Sequence, residues 1–213
     1  MMQRNTLRNL IALLSITLFL LLSAAGCDDE SSHDLDLSRL TPSNFKGGTT
    51  PIISLSTNGN NWTWNDPHVI KVGAQYRMYA SATENFTTLV KIYRLVSDDG
   101  LSWTLNPSSP VLDTGAAATW DAGAVETPAV VYFNGNYHMF WTGYKYSHYD
   151  SDNFSTSFFR IGHAVSADGI SFTRDDSFVV APSGAAEDGN SANDWYAFIV
   201  GEPAPVVFKN RIY

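Results

Sequence analysis

Two motifs recur in order along this chain of 213 residues, and few folds can satisfy both. The first reads Leu55-Ser56-Thr57-Asn58-Gly59-Asn60-Asn61-Trp62-Thr63. It returns as Val96-Ser97-Asp98-Asp99-Gly100-Leu101-Ser102-Trp103-Thr104, and again as Val165-Ser166-Ala167-Asp168-Gly169-Ile170-Ser171-Phe172-Thr173. Asn-Gly or Asp-Gly supplies the positive φ of a hairpin turn, and the aromatic three residues on folds back onto the sheet. The second motif is a polar residue, Pro, a short apolar strand, a Gly or Asn turn, and an aromatic strand. It begins at Asp66-Pro67, Thr127-Pro128 and Glu202-Pro203, so the prolines are 61 and 75 residues apart. Such a period, with several strands in each unit, predicts the blades of a β-propeller.

From residue 51 onward the strands are short, β-branched or aromatic, and punctuated by Gly, Asn and Asp, with no sustained helical period. The expected fold class is therefore all-β. Pro cannot donate to a ladder, so the Pro-led strand belongs at an edge, here the innermost strand of each blade. The residue before each Pro then faces a central funnel, which gathers Asp66, Thr127 and Glu202 around one axis. A single Asp-Pro or Glu-Pro would merely start a turn. Three aligned copies favour the funnel.

Charge and cysteine usage narrow the partners. Lys and Arg number 13 against 21 Asp and Glu, for a net charge of −8, which argues against nucleic acid. The one cysteine excludes a disulfide framework and a cysteine-rich zinc site. It lies at Cys27, after Arg4 and Arg8, an apolar run from Leu10 to Leu22, and the small residues Ser23-Ala24-Ala25-Gly26. The apolar run is too short to span a bilayer. This arrangement resembles a bacterial lipoprotein signal, with an ordinary signal peptide as the plainer alternative. The resemblance implies removal of residues 1–26, lipidation of Cys27, and a protein anchored in the cell envelope facing the periplasm or exterior. Residues 27–50, rich in Asp, Ser, Gly and Thr, then form a polar tether. The mature chain would have 187 residues and 11 basic side chains, a balance suited to a neutral ligand.

Residues 51–213 resemble the five-bladed propeller glycoside hydrolases, families 43 and 32 and their relatives. The matching residues are Trp64-Asn65-Asp66-Pro67, then Trp120-Asp121 with Glu126-Thr127-Pro128-Ala129-Val130-Val131-Tyr132, and Gly201-Glu202-Pro203-Ala204-Pro205. The resemblance implies that Asp66 acts as base or nucleophile and Glu202 as general acid, on an oligosaccharide or polysaccharide. Those families also carry a second-blade Asp, where this chain has Thr127; Glu126 or Asp121 is the candidate substitute. Cleaving a glycoside takes two carboxyls, one protonated to release the leaving oxygen, one ionised to activate water or attack the sugar. Separations of about 5–5.5 Å imply retention, and about 6.5–9.5 Å inversion.

Other residues have two readings. Trp64 and Trp120 flank inner-strand starts, as sugar platforms or as packing between blades. Trp62, Trp103 and Phe172 follow the turn motif and read as packing. Asn65 and His68 are placed to meet a sugar hydroxyl, although a lone His more often satisfies a local hydrogen bond. The remaining histidines share no ligand spacing, and Asp150-Ser151-Asp152-Asn153 lacks the Gly and distal Glu of an EF-hand loop, so neither a metal site nor a cofactor is expected. A five-bladed ring at the observed spacing needs on the order of 300 residues. The chain is therefore expected to hold two blades and the start of a third, as the N-terminal part of a larger protein.

Overall fold

The computed structural model describes residues 53, 62–84, 89–147, 152, 157–175, 179–181 and 199–213, all within the compact unit Thr50–Tyr213. The signal segment, Cys27, the tether and the first turn copy up to Asn61 lie outside the described residues.

Every described element is a strand. Blade 1 comprises β1 (Thr63–Val72), β2 (Gln75–Thr83), β3 (Lys91–Ser97) and β4 (Thr104–Leu105), hydrogen-bonded in that order. Blade 2 repeats it with β5 (Ala124–Phe133), β6 (Asn136–Tyr144), β7 (Arg160–Ser166) and β8 (Thr173–Arg174). A third unit contributes β9 (Val207–Phe208) and β10 (Arg211–Ile212). All pairings within the sheets are antiparallel. The fold is all-β, a partial propeller with each Pro-led strand at the inner edge of its blade.

Turn chemistry sets the registers. Val72 pairs with Gln75 across a two-residue loop whose first member, Gly73, has φ 61°. Phe133 pairs with Asn136 across Asn134 (φ 48°) and Gly135 (φ 82°), the two left-handed residues that a primed hairpin turn demands. The β3–β4 and β7–β8 connections are longer than the tight turn expected from Asp-Gly. They span residues 98–103 and 167–172, because the aspartate closes them with its side chain. Asp99 Oδ1 accepts the N–H groups of Leu101 and Ser102, each at 2.7 Å, and Asp168 Oδ1 those of Ile170 and Ser171. The Gly keeps its expected role, at φ 75° and 73°. The aromatics also pack as expected: Trp103 against Met78, Ala80 and Leu95, and Phe172 edge-on to Tyr79.

The main core lies between the two blades: Tyr79 and Ile92 from the first, Val125, Val130, Met139, Trp141 and Ala164 from the second. Each such side chain, fully buried, contributes about 1.5–3 kcal/mol. The blades also join through the backbone. Val90 bridges Ala124 in parallel, and one period later Phe159 bridges Ile199. The approach to each third strand is thereby tied to the segment leading into the next Pro-led stretch, and the three Pro-led ends come to one place.

Candidate active site

Asp66, Thr127 and Glu202 share a backbone state that non-glycine residues rarely adopt, with φ of 50°, 50° and 53°. In the two complete blades the residue sits in a bulge. Register slips between Asn65 and His68 on β1, and between Glu126 and Ala129 on β5. A bulge leaves its extra residue unpaired and re-aims the side chain, a device found beside active sites. Left-handed backbone at a non-glycine costs of order 1–3 kcal/mol and persists only where its surroundings impose it.

Hydroxyls on the second strands impose it. Ser81, opposite Asn65 on β2, donates to Asp66 Oδ2 (3.3 Å) and accepts the Thr127 N–H (2.9 Å). Thr142, opposite Glu126 on β6, lies 2.6 Å from the Thr127 hydroxyl and accepts the Glu202 N–H at 2.8 Å. Each blade's hydroxyl thus pins the pre-proline residue of the next. Ser81 and Thr142 are buried, so an unmade bond there would be expensive. Neither was singled out from the sequence. The signal was present: both close the repeated strand, in Tyr76-Arg77-Met78-Tyr79-Ala80-Ser81 and Tyr137-His138-Met139-Phe140-Trp141-Thr142.

The three pre-proline residues line one open pocket of about 220 Å³, with Pro67, His68, Pro128, Ala129 and Pro203. A second pocket of about 350 Å³ shares Thr127 and Glu202 and adds Glu126, Thr142, Phe159, Ile199 and Gly201. Asp66 and Glu202 are solvent-exposed, whereas Glu126 is partly buried. Burial pushes the Glu126 carboxyl upward, and the charges of Asp66 and Glu202 push it the same way; the Tyr144 hydroxyl, 3.3 Å from Oε2, opposes them. The charges of Asp66 and Glu202 are thus felt at Glu126. His68 contributes differently. Its Nε2–H donates to the Val130 carbonyl at 2.9 Å, tying β1 to β5, and burial lowers its proton affinity. In the neutral ring, which burial favours, Nε2–H is the donor and Nδ1 is left as an acceptor.

Three residues expected at the site are held elsewhere. Trp64 stacks on Trp62 (5.2 Å between centroids, 15°) and packs against Met78, Ala80 and Leu95. Trp120 stacks on Trp141 beneath the main core. Both are blade packing rather than sugar platforms, since large rings at strand starts find more apolar surface between sheets than over a polar funnel. Asp121 is 3% exposed and pairs with Arg174 at 3.2 Å, with Thr119 donating at 2.9 Å, so its oxygens are spent. Asn65 is exposed and lies beside Asp66 at the bulge, outside the pocket lining.

Comparison with known proteins locates this architecture. No family model matches the chain, and no curated protein matches it by sequence. Among solved structures, Zg3597, a family 117 glycoside hydrolase produced by the marine bacterium Zobellia galactanivorans, aligns with a TM-score of 0.58 at 14% identity, over 71% of this chain and 47% of that one. A glycosyl hydrolase from Bacteroides ovatus (TM-score 0.43, 18% identity, 54% of this chain and 31% of that one) and a thermostable family-43 glycoside hydrolase (0.40, 18%, 54% and 32%) are more distant. The chain spans about half the length of the first of these structures. The likeness is one of fold: this chain is built like part of a propeller that carries glycoside hydrolases.

Proposed function

We propose that the protein hydrolyses O-glycosidic bonds of oligo- or polysaccharides in this funnel. One observation carries the reading: carboxyls from two separate repeats, Asp66 and Glu202, line a single pocket in matching left-handed backbone conformations. Asp66 serves as base or nucleophile. It accepts the Ser81 hydroxyl, which orients its carboxyl in the pocket. Glu202 donates the proton to the leaving oxygen. Glu126, beside Thr127 in the larger pocket, hydrogen-bonds a sugar hydroxyl. His68 accepts from another through Nδ1. In the same reading the protein is a lipid-anchored envelope protein, tethered through Cys27 and residues 28–50.

A second reading is a carbohydrate-binding propeller without turnover, and Thr127 in place of a second-blade carboxylate favours it. The test uses the full-length protein on a panel of nitrophenyl glycosides. Asp66→Asn and Glu202→Gln should each cut turnover by at least about a hundredfold and leave sugar binding intact. If both variants match the parent, the hydrolase reading fails; if the parent binds sugars and turns over none, the binding reading holds.

A further inference from the structure

Two histidines of blade 2 take no part in the pockets. His138 on β6 pairs with Val165, and His163 on β7 pairs with Phe140, so the two sit diagonally on adjoining strands. His138 Nδ1 lies 3.0 Å from His163 Nε2, with ring planes 14° apart and centroids separated by 5.2 Å. Centroids that far apart, with nitrogens in contact, describe a head-on N–H···N hydrogen bond rather than stacked rings. On the far side His163 Nδ1 donates to Asp175 Oδ2 at 2.7 Å, just beyond β8. Phe133 and Phe140 flank the rings. A file of side chains thus runs from β6 across β7 to the end of β8.

Only one proton fits in the gap between the rings. The bond survives while either ring is neutral. When both are imidazolium, two N–H groups face each other and two like charges meet. We propose that Asp175, His163 and His138 form an acid-opened latch, holding β7 and β8 against β6 at neutral pH and releasing them when both rings are protonated.

The surroundings set where this happens. Burial and then the neighbouring His163 lower the affinity of His138 for its proton; the Phe133 backbone on β5 and the Asp175 charge oppose them. Arg174, next to Asp175, is turned instead to Asp121 and the Asp113 carbonyl. A histidine depressed below its ordinary 6.5 binds fewer protons folded than unfolded. Its contribution is therefore complete above pH 6.5 and is lost as pH falls toward the lower folded value. Blade 1 supplies the control. Its matching positions are Arg77, Arg94 and Asn106, none of which titrates in this range. Opening would loosen the strand that follows Phe159, a wall of the larger pocket. The latch does not depend on the proposed hydrolysis.

Hydrogen exchange on the full-length protein tests it. Protection of residues 160–166, corrected for intrinsic exchange, is compared with that of 91–97 from pH 7.5 to 5. The ratio should fall by up to about tenfold per pH unit below 6.5 in the parent and stay flat in His138→Gln. Histidine ring titration by NMR in the unmutated protein needs no variant to fold, and should find His138 below 6.5. Parallel loss in both segments, an unchanged fall in His138→Gln, or a His138 titrating at or above 6.5 would each overturn the latch.

Discussion

In blade 1 the left-handed residue before proline is Asp66, and in blade 2 it is Thr127; the bulge that holds them is shared. Both lie in a bulge at the same register, opposite a buried hydroxyl on the second strand. The backbone device therefore belongs to the scaffold and is indifferent to the side chain it displays. Chemistry enters through substitution on that frame: Asp66 against Thr127, Asn65 against Glu126, the Arg77–Arg94 pair against His138–His163. Tyr93 opposite Ala80 becomes Gly162 opposite Trp141, the same space filled from the other strand.

The sharpest way to break this comparison is kinetic. Asp66→Asn should lower kcat/KM by about 10²–10⁴-fold, the usual worth of a positioned base. Thr127→Val, on the matching bulge, should cost under about tenfold because it removes a contact and no proton-transfer group. Steady-state kinetics on one nitrophenyl glycoside decides it. Equal losses would mean that the bulge, not the carboxylate, carries the function.

The exchanged packing gives the next largest effect. A Cβ on Gly162 would lie 2.3 Å from Trp141 Cζ2, far inside contact distance, and Trp141 is 1% exposed. Gly162→Ala should destabilise the protein by about 3 kcal/mol, the upper range for overpacking, measured by urea unfolding. Tolerance of the alanine would mean that the blades do not divide their volume in this complementary way.

The hydroxyls should separate scaffold from chemistry. Ser81→Ala and Thr142→Val each strand a backbone N–H of the next blade, at a cost of about 1–3 kcal/mol. Only Ser81→Ala also removes a donor to the Asp66 carboxyl, so its kcat should fall further than that of Thr142→Val. Equal kcat losses in the two variants would show that Ser81 is structural alone.

How much of this could be read from residues follows from which interactions are local. The all-β class, the Pro-led strand at the edge of each four-stranded blade and the convergence of Asp66, Thr127 and Glu202 were legible because turn chemistry and repeat spacing are local and periodic. What Trp64, Trp120 and Asp121 do was not. Trp64 is claimed by Trp62 and Met78, Trp120 by Trp141, and Asp121 by Arg174, more than 50 residues away in sequence. A partner on another strand, as Met78, Trp141 and Arg174 are, leaves no mark beside the residue, and Trp62 alone did not show which way Trp64 turns. The hydroxyls stand between: Ser81 and Thr142 recur in phase, but their acceptor role needs the neighbouring blade in place.

The repeated turns yield the smallest and finest contrast. Asp99 and Asp168 each accept two backbone N–H groups and a serine hydroxyl, from Ser97 in one turn and Ser166 in the other, and Asp99 Oδ2 accepts a further hydroxyl from Ser102. These bonds favour the ionised form. They hold the Asp168 carboxyl at about 2, and that of Asp99 further below the ordinary 3.8. A carboxyl depressed in the folded state contributes stability above its unfolded value and loses it as pH falls through the folded one. Asn retains an acceptor but not the charge, so either Asp→Asn change should lower Tm at pH 7 by only about 2 °C, since both carboxylates are exposed. The gap to the parent should close below pH 3.8, sooner for Asp168→Asn than for Asp99→Asn. Thermal melts from pH 7 to 2 would show it. A gap that stays constant with pH would place the stabilisation in turn geometry instead of charge, and the two turns would then be as interchangeable in chemistry as they are in shape.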